Sequence, residues 1–531
     1  MATKRNRNNK GRKAAQALDY DATKTTGRRR QPSSRLAAEH VILPQYNRGL
    51  LLSTVQDQQR NAALAAWMIR RHLDYVSRFK FLFQHDNEPL MKKVNALFDW
   101  HAQPVNFDIA GRFGREQMFR MFEMEKTVSG DAAMIKLSTG HLQGIEADMI
   151  ALPKIGKMRT DGKTYDPIPV DLLKRVSKDT GMVMDFAYPG RIAQFCICNR
   201  GHDGAQVSFD HLEDATNVIF DGYFTRLSSQ VRGISPLSTA VNLLQDVYEG
   251  IDFNLAKAKL HALFGIAIMR DYTGWSDQQE VDGWGGASGI TTGADENKAH
   301  NTTESTDGTK TISATVQAVK PSEMMLIDMD TKGRIETIES KTPSGEFVGF
   351  TTEVIRILLL ALDIPYSAMN SAGSSFSGLI ADQNLYEVSC RSKRDQNLWK
   401  RIEYSNWLIE REWESERWGL AALAAAAGIK SHQELAMLIE WVPAGFPWLQ
   451  KLQEVQGDIK AISVGLDNPI DACKRRGVDF HENVLKTERA YKFAKAHDVP
   501  LMIGEPGQAA VAEVEEMQPS KPPATPQEER E

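Results

Sequence analysis

Several stretches of this sequence carry residues that could serve phosphate or nucleophilic chemistry, but each fails at one position. "GKT" at Gly162–Thr164 matches the end of a phosphate-binding loop, yet Lys157 stands where that loop requires its first glycine. "GWGGASG" at Gly283–Gly289 misses the dinucleotide-binding spacing by one residue. "GSSFS" at Gly373–Ser377 resembles a nucleophile elbow, but it closes on serine and follows a helix and a proline. These stretches predict turns and loops.

The metal-binding patterns are also incomplete. His481 begins "HEN", but Leu485 occupies the position of the second histidine of a zinc-binding helix. Cys196 and Cys198 fall on one face of a predicted strand, with only His202 nearby. Because a structural zinc site needs four ligands, we interpret the two cysteines as a buried reduced pair.

One acidic pair is the remaining candidate for chemistry. In "IEADMI", a strand would place Glu146 and Asp148 on the same face, where paired carboxylates could bind a metal ion or transfer protons. Two acids on an exposed strand face are more often simply solvated. The sequence therefore predicts no enzyme, no metal and no cofactor.

Length and composition are typical of a soluble globular protein. The 531 residues are 42% hydrophobic, which is enough to build several compact units. Four cysteines are too few for a disulfide framework, so a reducing compartment is expected. No stretch approaches the roughly 20 apolar residues of a membrane span, and the N-terminus does not resemble a secretory signal.

Charge is distributed unevenly along the chain. Residues 1–36 carry eleven Lys/Arg and two Asp, a net charge of +9, so the other residues sum to −14. We predict that 1–36 is a disordered basic tail, which could either contact nucleic acid or remain a solvated arm. Residues 501–531 are predicted to be a disordered acidic tail. An acidic body argues against a protein that holds DNA through its phosphates.

The hydrophobic periodicity predicts an α+β region over 37–234, with helices that give way to short strands. Ser235 is the expected N-cap of a long helix, 235–263. A small β-rich insert, 264–346, follows and contains a mobile glycine-rich loop, 271–310. The apolar stripe expected on the long helix consists of Leu237, Val241, Leu244, Tyr248, Ile251 and Leu255.

A second helix, 347–363, ends before Pro365, and 364–418 contains a loop followed by a very long helix. A further helical region covers 419–500. The buried side of the very long helix is expected to contain Leu379, Leu385, Val388, Trp399, Ile402 and Trp407.

Four stretches, in this order, resemble the lambda-like family of tailed-phage portal proteins, and the resemblance covers about residues 45 to 500. They are "GDAAMIKL…LQGIEADMI" (130–150), "SSQVRGISPLSTAVNLLQDVYEGIDFNLAKAKLHALFG" (228–265), "TPSGEFVGFTTEVIRILLLALDIPYSAMNSAGSSFSGLIADQ" (342–383) and "WVPAGFPWLQKLQEVQGDIKAISVGLDNPIDACKRRGVDF" (441–480). The chain departs from the family pattern in its longer polar excursion at 271–310 and in "WLQKLQEV", where the family usually has Asp-Pro.

The resemblance implies a dodecameric ring at one capsid vertex, through which DNA passes during packaging and ejection. It implies a wing (37–234), a stem of two helices (235–263 and 347–363), a clip (264–346), a tunnel loop with a long wing helix (364–418) and a helical crown (419–500). The implied partners are further copies of the chain, double-stranded DNA, the terminase, head–tail connector proteins and the major capsid or scaffold protein, with no membrane. The implied location is the virion, after assembly in the host cytoplasm.

The resemblance also implies two sets of site residues. The DNA-facing tunnel loop would contain Asn370, Ser371, Ser374, Ser375, Phe376 and Ser377. The partner-binding clip would contain Trp275, Trp284, Lys332 and Arg334. Two alternatives stay open at this point: a DNA-processing enzyme, such as a nuclease or packaging component, and another structural protein of the capsid or connector.

Overall fold

A computed structural model describes most of the chain between residues 38 and 497. The described residues are 38–159, 164–185, 187–188, 190–200, 207–269, 314–316, 325–329, 334–336, 345–372, 374–447 and 450–497. For 260–269, 314–316, 325–329 and 334–336 only the backbone is described. The two predicted tails and the predicted mobile loop 271–310 lie outside the described residues.

Helices predominate in the described part of the chain. The helices are α1 Glu39–Ile42, α2 Gln45–Asn61, α3 Ala63–Val76, α4 Glu88–His101, α5 Pro104–Phe107, α6 Arg115–Ser129, α7 Val170–Arg175, α8 Val241–Leu263, α9 Gly345–Leu359, α10 Phe376–Glu412, α11 Leu420–Ala426, α12 His432–Met437, α13 Lys451–Ser463, α14 Pro469–Arg475 and α15 Phe480–Ala496. The strands are β1 Phe79–Leu82, β2 Asp131–Lys136, β3 Leu142–Ile145, β4 Met182–Met184, β5 Ile192–Arg200, β6 Val207–Asp214, β7 Val218–Gly222, β8 Phe264–Met269, β9 Ala314–Val316, β10 Met325–Met329, β11 Arg334–Glu336 and β12 Glu440–Pro443. The α+β class is confirmed.

The chain divides into two compact units. Unit 1 comprises Met1–His72, Met121–Ile135 and Gly144–Tyr386, and unit 2 comprises Leu73–Arg120, Lys136–Gln143 and Glu387–Glu531. Each unit is therefore assembled from three separate segments of the sequence.

Two small sheets organise the strands that the periodicity predicted between residues 130 and 222. Their strand orders are β3-β2-β7 and β4-β5-β6. In the first, β2 and β7 run antiparallel with Ala133 opposite Phe220. In the second, β5 pairs with β6 and places Cys196 opposite Leu212. Cys196 and Cys198 are buried and free, in a cluster with Leu172, which confirms the reduced pair.

The strand predicted from "IEADMI" is wrong in position. The strand β3 ends at Ile145, and Ala147–Met149 forms a turn of 3-10 helix. The strand, Leu142–Ile145, lies before "EADMI", within the stretch "TGHLQG" that the sequence predicts as a turn, because Gly140, with φ of +93°, already turns the chain.

The helices of unit 1 pack through small and aliphatic residues. Ala62, Ala65, Leu244, Val354 and Leu358 lie in one buried cluster that joins α3, α8 and α9. The expected N-cap Ser235 accepts the amide hydrogen of Leu237, but it opens a 3-10 turn, Pro236–Thr239, and α8 follows from Val241.

The apolar stripe of α8 is only half buried. Leu237, Val241 and Leu244 are buried, whereas Ile251 and Leu255 are 42% and 50% exposed. The stripe therefore continues past the core that α8 helps to form in this chain.

The insert between α8 and α9 contains a four-stranded sheet of order β11-β8-β10-β9. The sequence "MMLIDMDTKGRIETIES" predicts two strands, here β10 and β11, that are neighbours around an Asp-Thr-Lys-Gly turn. Instead β8 lies between them, parallel to β10 and antiparallel to β11.

Unit 2 is built around a two-stranded antiparallel sheet and one end of α10. The strand β1 pairs with β12, with Phe81 opposite Trp441. The helical spacing of Leu73 and Val76 also includes Phe79, but Phe79 begins this strand because α3 ends at Val76. Aromatic rings fill the core: Phe98 stacks on Phe81 at 4.1 Å between centroids.

The predicted buried side of α10 is wrong. Leu385, Val388 and Trp399 are 72%, 64% and 67% exposed, and Leu379, Ile402 and Trp407 are half-buried. The buried positions follow another stripe at helical spacing: Tyr386, Cys390, Arg394, Asn397, Arg401, Tyr404 and Leu408. The buried stripe is partly polar, so hydrophobicity alone does not reveal it.

Candidate functional site

The best candidate site is the loop between α9 and α10, defined as residues 370–377 and called the serine loop. A 3-10 turn, Leu360–Leu362, extends α9, and Asp363 ends it in the left-handed conformation with φ of 58°. Ile364 is buried, and Pro365 then prevents the helix from continuing. The segment before the loop is held in place by the core, because Leu358, Leu359 and Leu362 are all buried.

The serine loop itself is exposed and ordered by local hydrogen bonds. Asn370 Oδ1 accepts the Ala372 amide at 2.9 Å, as in an Asx turn. Ser375 Oγ accepts the Gly378 amide at 3.2 Å, in the geometry of a helix N-cap for α10. The described residues 370–372 and 374–377 are all exposed, with Phe376 at 44%. The site residues predicted for this loop therefore share one exposed surface.

The serine loop lies in a run of sequence without charge. No Asp, Glu, Lys, Arg or His occurs between Asp363 and Asp382. The loop thus offers hydroxyl and amide groups, with one aromatic ring, and no fixed charge that could pair with a ligand ion.

A buried ionic cluster holds the strands of unit 1 to the segment that leads into α8. Asp131, at the start of β2, is fully buried and binds Arg232 through Nε at 2.7 Å and Nη2 at 3.0 Å. Arg48 of α2 binds the same carboxylate at 2.9 Å. Arg232 also donates to the carbonyl groups of Ala147, Ile150 and Thr180. All five N–H groups of Arg232 are therefore used.

Burial by itself would raise the pKa of Asp131, but Arg232 and Arg48 reverse the effect and hold that pKa below its ordinary value. The pKa of Arg48 is lowered to about 10 by its own burial and by Arg232. The cluster is therefore charged and inaccessible to solvent, which indicates a structural role.

Two glycines make this cluster possible. Gly130 has φ of +95°, and a Cβ atom there would lie 2.6 Å from the Gly233 carbonyl oxygen. The two backbones are in direct contact, since a Cβ atom on Gly233 would likewise overlap the Gly130 carbonyl oxygen. Gly233 also donates to the Asp131 carboxylate at 2.9 Å. The pairs Gly130–Asp131 and Arg232–Gly233 are therefore packed directly against each other.

A second buried cluster surrounds Lys126 of α6. Its ammonium group lies 2.9 Å from Glu123 and 2.9 Å from Asp221, beside the ring of Tyr223. Burial opposes ionisation of Glu123, but Lys126 and His72 lower its pKa to about 2. This cluster could resemble a catalytic set, but Lys126 and Glu123 have no exposed side-chain surface through which a substrate could reach them.

The other predicted chemical groups are also accounted for. Glu146 and Asp148 both bind Arg200, each at 2.6 Å, so the predicted acidic pair is an exposed ion triad. Among the residues that the structure describes, no group of three or more His, Cys, Asp or Glu side chains is arranged to hold a metal ion.

Of the four predicted clip residues, the structure describes the backbone of one. Trp275, Trp284 and Lys332 lie outside the described residues. Arg334 begins β11 and pairs with Met269 of β8 through the backbone. No described helix has the combination of length and hydropathy needed to cross a membrane.

Comparison with known proteins decides the family. The family model described as "Phage portal protein, lambda family" matches residues 24–379. The chain belongs to the lambda family of phage portal proteins. The predicted family is confirmed, and so is the absence of enzyme activity, because portal proteins are structural and not catalytic.

Solved structures similar to this portal protein come from gene transfer agent (GTA) particles. A chain in the virion of the native GTA particle is 12% identical, with a TM-score of 0.40, and the match covers 82% of this chain and 99% of that one. A chain in the neck of the native GTA particle, with C12 symmetry, is 13% identical, with a TM-score of 0.39 and coverage of 80% and 93%. No curated protein matches this chain.

Sequence reasoning missed the buried charges of this portal protein. Arg232 stands in the quoted "RGISP" motif, but its partner Asp131 is 101 residues away in the sequence. The signal that could have indicated the pair is glycine beside each charged residue, in Gly130–Asp131 and Arg232–Gly233. For Arg401, which is fully buried in unit 2, no local signal exists.

Proposed function

We propose that this portal protein assembles into a dodecameric ring at one vertex of the phage capsid, as the family resemblance implies, and that viral DNA passes through its centre. The family match over residues 24–379 carries this proposal. Packaging and ejection of the genome through this ring follow from the same role, as does a place in the virion after assembly in the host cytoplasm.

We assign the serine loop to the wall of the channel. Small hydroxyl groups can contact a moving phosphate backbone without forming an ion pair that must then be broken. Each lysine or arginine on such a wall would add salt-dependent affinity for DNA and slow its movement. The absence of charge between Asp363 and Asp382 supports this assignment.

Exposed apolar residues on the two predicted stem helices support assembly with further copies. On α8, Phe253 is 72% exposed. On α9, Phe350 and Ile357 are 68% and 57% exposed, and Leu360 just beyond it is 67% exposed. Large apolar side chains grouped on packed helices typically mark a contact surface. We infer that neighbouring subunits cover them.

The remaining regions take the roles that the family implies. We propose 37–234 as the wing, 235–263 and 347–363 as the stem, 264–346 as the clip, 364–418 as the tunnel loop and long wing helix, and 419–500 as the crown. The clip, with Trp275, Trp284, Lys332 and Arg334, would contact the terminase and later the head–tail connector proteins. The crown would face the capsid interior.

Electron microscopy of the purified protein tests the ring, and a loop variant tests the channel. We expect particles with a central hole. Ser371→Lys with Ser374→Lys should slow DNA packaging, whereas Ser371→Asn with Ser374→Asn, which adds bulk without charge, should package nearly as the unchanged protein does. Equally fast DNA packaging by rings of the two variants would contradict the assignment of the serine loop to the channel wall. A monomer that cuts DNA or hydrolyses ATP would overturn the portal role itself.

A further inference from the structure

The helix α15, in unit 2, is almost entirely exposed in the described part of the chain. Of its 17 residues, Phe480–Ala496, only Ala494 is buried. Large apolar side chains are exposed towards both ends: Leu485 is about half exposed, and Phe493 is 68% exposed. Helices in proteins gain most of their stability by packing an apolar face, so most of the packing that would stabilise α15 is missing from the described residues.

A groove of about 970 Å³ lies beside the first turns of α15, within unit 2. This volume is at the upper end of the range for ligand pockets, so the groove has room for several side chains. The apolar side chains that line it are those of Phe79, Phe81, Leu82, Phe83, Met91, Phe480, Val484 and Leu485. The residues of α15 after Leu485 do not line the groove, so the helix extends beyond it.

The groove is also acidic. Five carboxylates and two basic side chains line it: Asp86, Asp99, Glu116, Asp479 and Glu482, with Lys80 and Arg115. Glu116 and Glu482 pair with the two basic side chains, and Asp479 accepts amide hydrogens at the start of α15. Asp86 and Asp99 are exposed, and neither has an ion pair within the described residues. These two carboxylates are available to cations from another molecule.

The end of α15 that extends beyond the groove is basic and aromatic. Arg489, Lys492 and Phe493 lie three and four residues apart, so they share one face of the helix. Lys492 forms an exposed pair with Glu488, and Arg489 lies near the same carboxylate. Two cations thus share one carboxylate, and exposed pairs of this kind exchange partners at little cost. This face therefore complements the groove in both charge and apolar character.

We propose that residues 486–496, here called the α15 end, pack in the groove of a neighbouring copy of this chain. Phe493 would contact the apolar lining, and Arg489 and Lys492 would pair with the neighbour's Asp86 and Asp99. The α15 end cannot reach the groove of its own chain, because Phe493 lies about 12 Å beyond Leu485 along a straight helix.

A second copy is the occupant that accounts for both exposed surfaces at once. The two surfaces differ, so the contact is heterologous, and such contacts repeat around a ring when the rotation closes. The inference therefore rests on the proposed ring and assigns one contact between its subunits to unit 2.

Chemical cross-linking of the full chain tests the contact. Light and heavy isotope-labelled chains are mixed before assembly and treated with a carbodiimide, which joins a carboxylate directly to a nearby lysine amine. We expect mass spectrometry to find Lys492 of a light chain linked to Asp86 or Asp99 of a heavy chain, and the reverse. Rings without these links would overturn the contact and leave the ring in place. Links without rings would support the contact and contradict the ring, and the absence of both would overturn both.

Charge reversal provides a second measurement, read as the association of subunits in analytical ultracentrifugation. Asp86→Lys with Asp99→Lys should weaken association by about tenfold or more, because two exposed attractions become repulsions. Arg489→Glu with Lys492→Glu should weaken it similarly, and a chain with all four changes should recover most of the loss. A four-fold variant that associates as weakly as either pair alone would overturn the proposal, since damage to folding is not repaired by a second reversal. Asp395→Lys with Glu410→Lys, a matched reversal on the exposed face of α10, should leave association unchanged.

The apolar part of the contact has its own matched pair of variants. Phe493→Ala should weaken association by about fivefold or more, as expected for an aromatic side chain that fills a pocket in a partner. Leu466→Ala, which removes an exposed apolar side chain in the turn after α13, should not change it. Equal association of the two variants would overturn the proposal. Hydrogen-exchange protection of the α15 end that requires added duplex DNA would also overturn it and assign this basic face to nucleic acid.

Discussion

Two buried arginines, one in each unit, remain charged by different means. In unit 1, Arg232 is surrounded by oxygen atoms, from the Asp131 carboxylate and three carbonyl groups. In unit 2, Arg401 lies among aromatic rings, 4.4 Å from the centroid of Phe119 and 5.1 Å from that of Trp441. Both side chains are almost completely removed from water.

The carboxylates that accompany the two arginines differ in exposure. Asp131 is fully buried, whereas the Glu116 side chain, 3.0 Å from Arg401, is 45% exposed. Burial lowers the pKa of Arg401 to about 10, even with Glu116 beside it. In unit 1, the charge of Arg232 is balanced by a carboxylate that is also buried. In unit 2, Arg401 lies against the faces of aromatic rings and pairs with a carboxylate that is half exposed to water.

The largest expected effect is loss of the buried carboxylate. Asp131→Ala would leave Arg232 and Arg48 buried without a counter-charge, which typically costs about 3–5 kcal/mol of the free energy of unfolding. Chemical denaturation with a probe in unit 1 measures it. The control is Asp166→Ala, which breaks the exposed pair with Arg159 and should cost less than about 1 kcal/mol. Equal losses would contradict the distinction between buried and exposed pairs.

A second pair of variants compares the arginines directly. Arg401→Met should destabilise unit 2 by about 1–3 kcal/mol, because methionine fills the aromatic cage and Glu116 can be hydrated. Arg232→Met should destabilise unit 1 more, since it leaves three carbonyl groups and part of the Asp131 carboxylate without donors. Denaturant midpoints of the two variants, each read in its own unit, give the order. The reverse order would show that the rings contribute more than the oxygen atoms.

The two units should lose stability at different acidic pH values. Burial lowers the pKa of His101, in unit 2, to about 4 from its ordinary 6.5. The unfolded state then binds the proton more readily, so stability falls as pH drops from about 6.5 to 4, by roughly 3 kcal/mol in all. Glu123, in unit 1, has its pKa lowered to about 2, so its contribution is lost only as pH falls from about 4.5 to 2. Hydrogen exchange across this range should therefore show unit 2 weakening first; simultaneous loss would contradict these assignments.

The smallest expected effect concerns the serine loop. Ser375→Ala removes the cap of α10 and should cost about 1 kcal/mol, whereas Ser371→Ala, in the same loop, should cost less because no cap is lost. Exchange of the amides at the start of α10 measures the difference. Equal exchange in the two variants would show that the Ser375 hydrogen bond contributes nothing to the helix end.

Local patterns of the sequence predicted most helices and several strands correctly. The apolar spacing predicts a helix from Glu88 to Trp100, and α4 runs from Glu88 to His101, since its spacing and its Asn87 cap are local features. The serine loop was predicted from proline and small residues, which also act locally. The family resemblance, and the function with it, came from the order of motifs.

The sequence could not predict features that depend on distant partners. Arg394, Asn397 and Arg401 lie on the buried face of α10, while the more apolar Leu385 and Trp399 are exposed. Arg401 is buried because aromatic rings and acceptors from other segments surround it, among them the Ser77 carbonyl oxygen, 324 residues away in the sequence. Hydrophobic periodicity indicates which face of a helix is apolar on average, and it does not identify contacts with residues far away in the sequence.

The interlocked glycines also have a consequence for synthesis of the chain. The contact of Gly130 with Gly233 joins residues about a hundred positions apart, so it cannot form until the ribosome has made the second of them. Until then, Asp131 lacks its partner Arg232, although the neighbouring strand β7 has already been made. A nascent chain that ends before Arg232 therefore cannot complete the buried ionic cluster of unit 1, and chaperones would meet that unit with Asp131 still without Arg232.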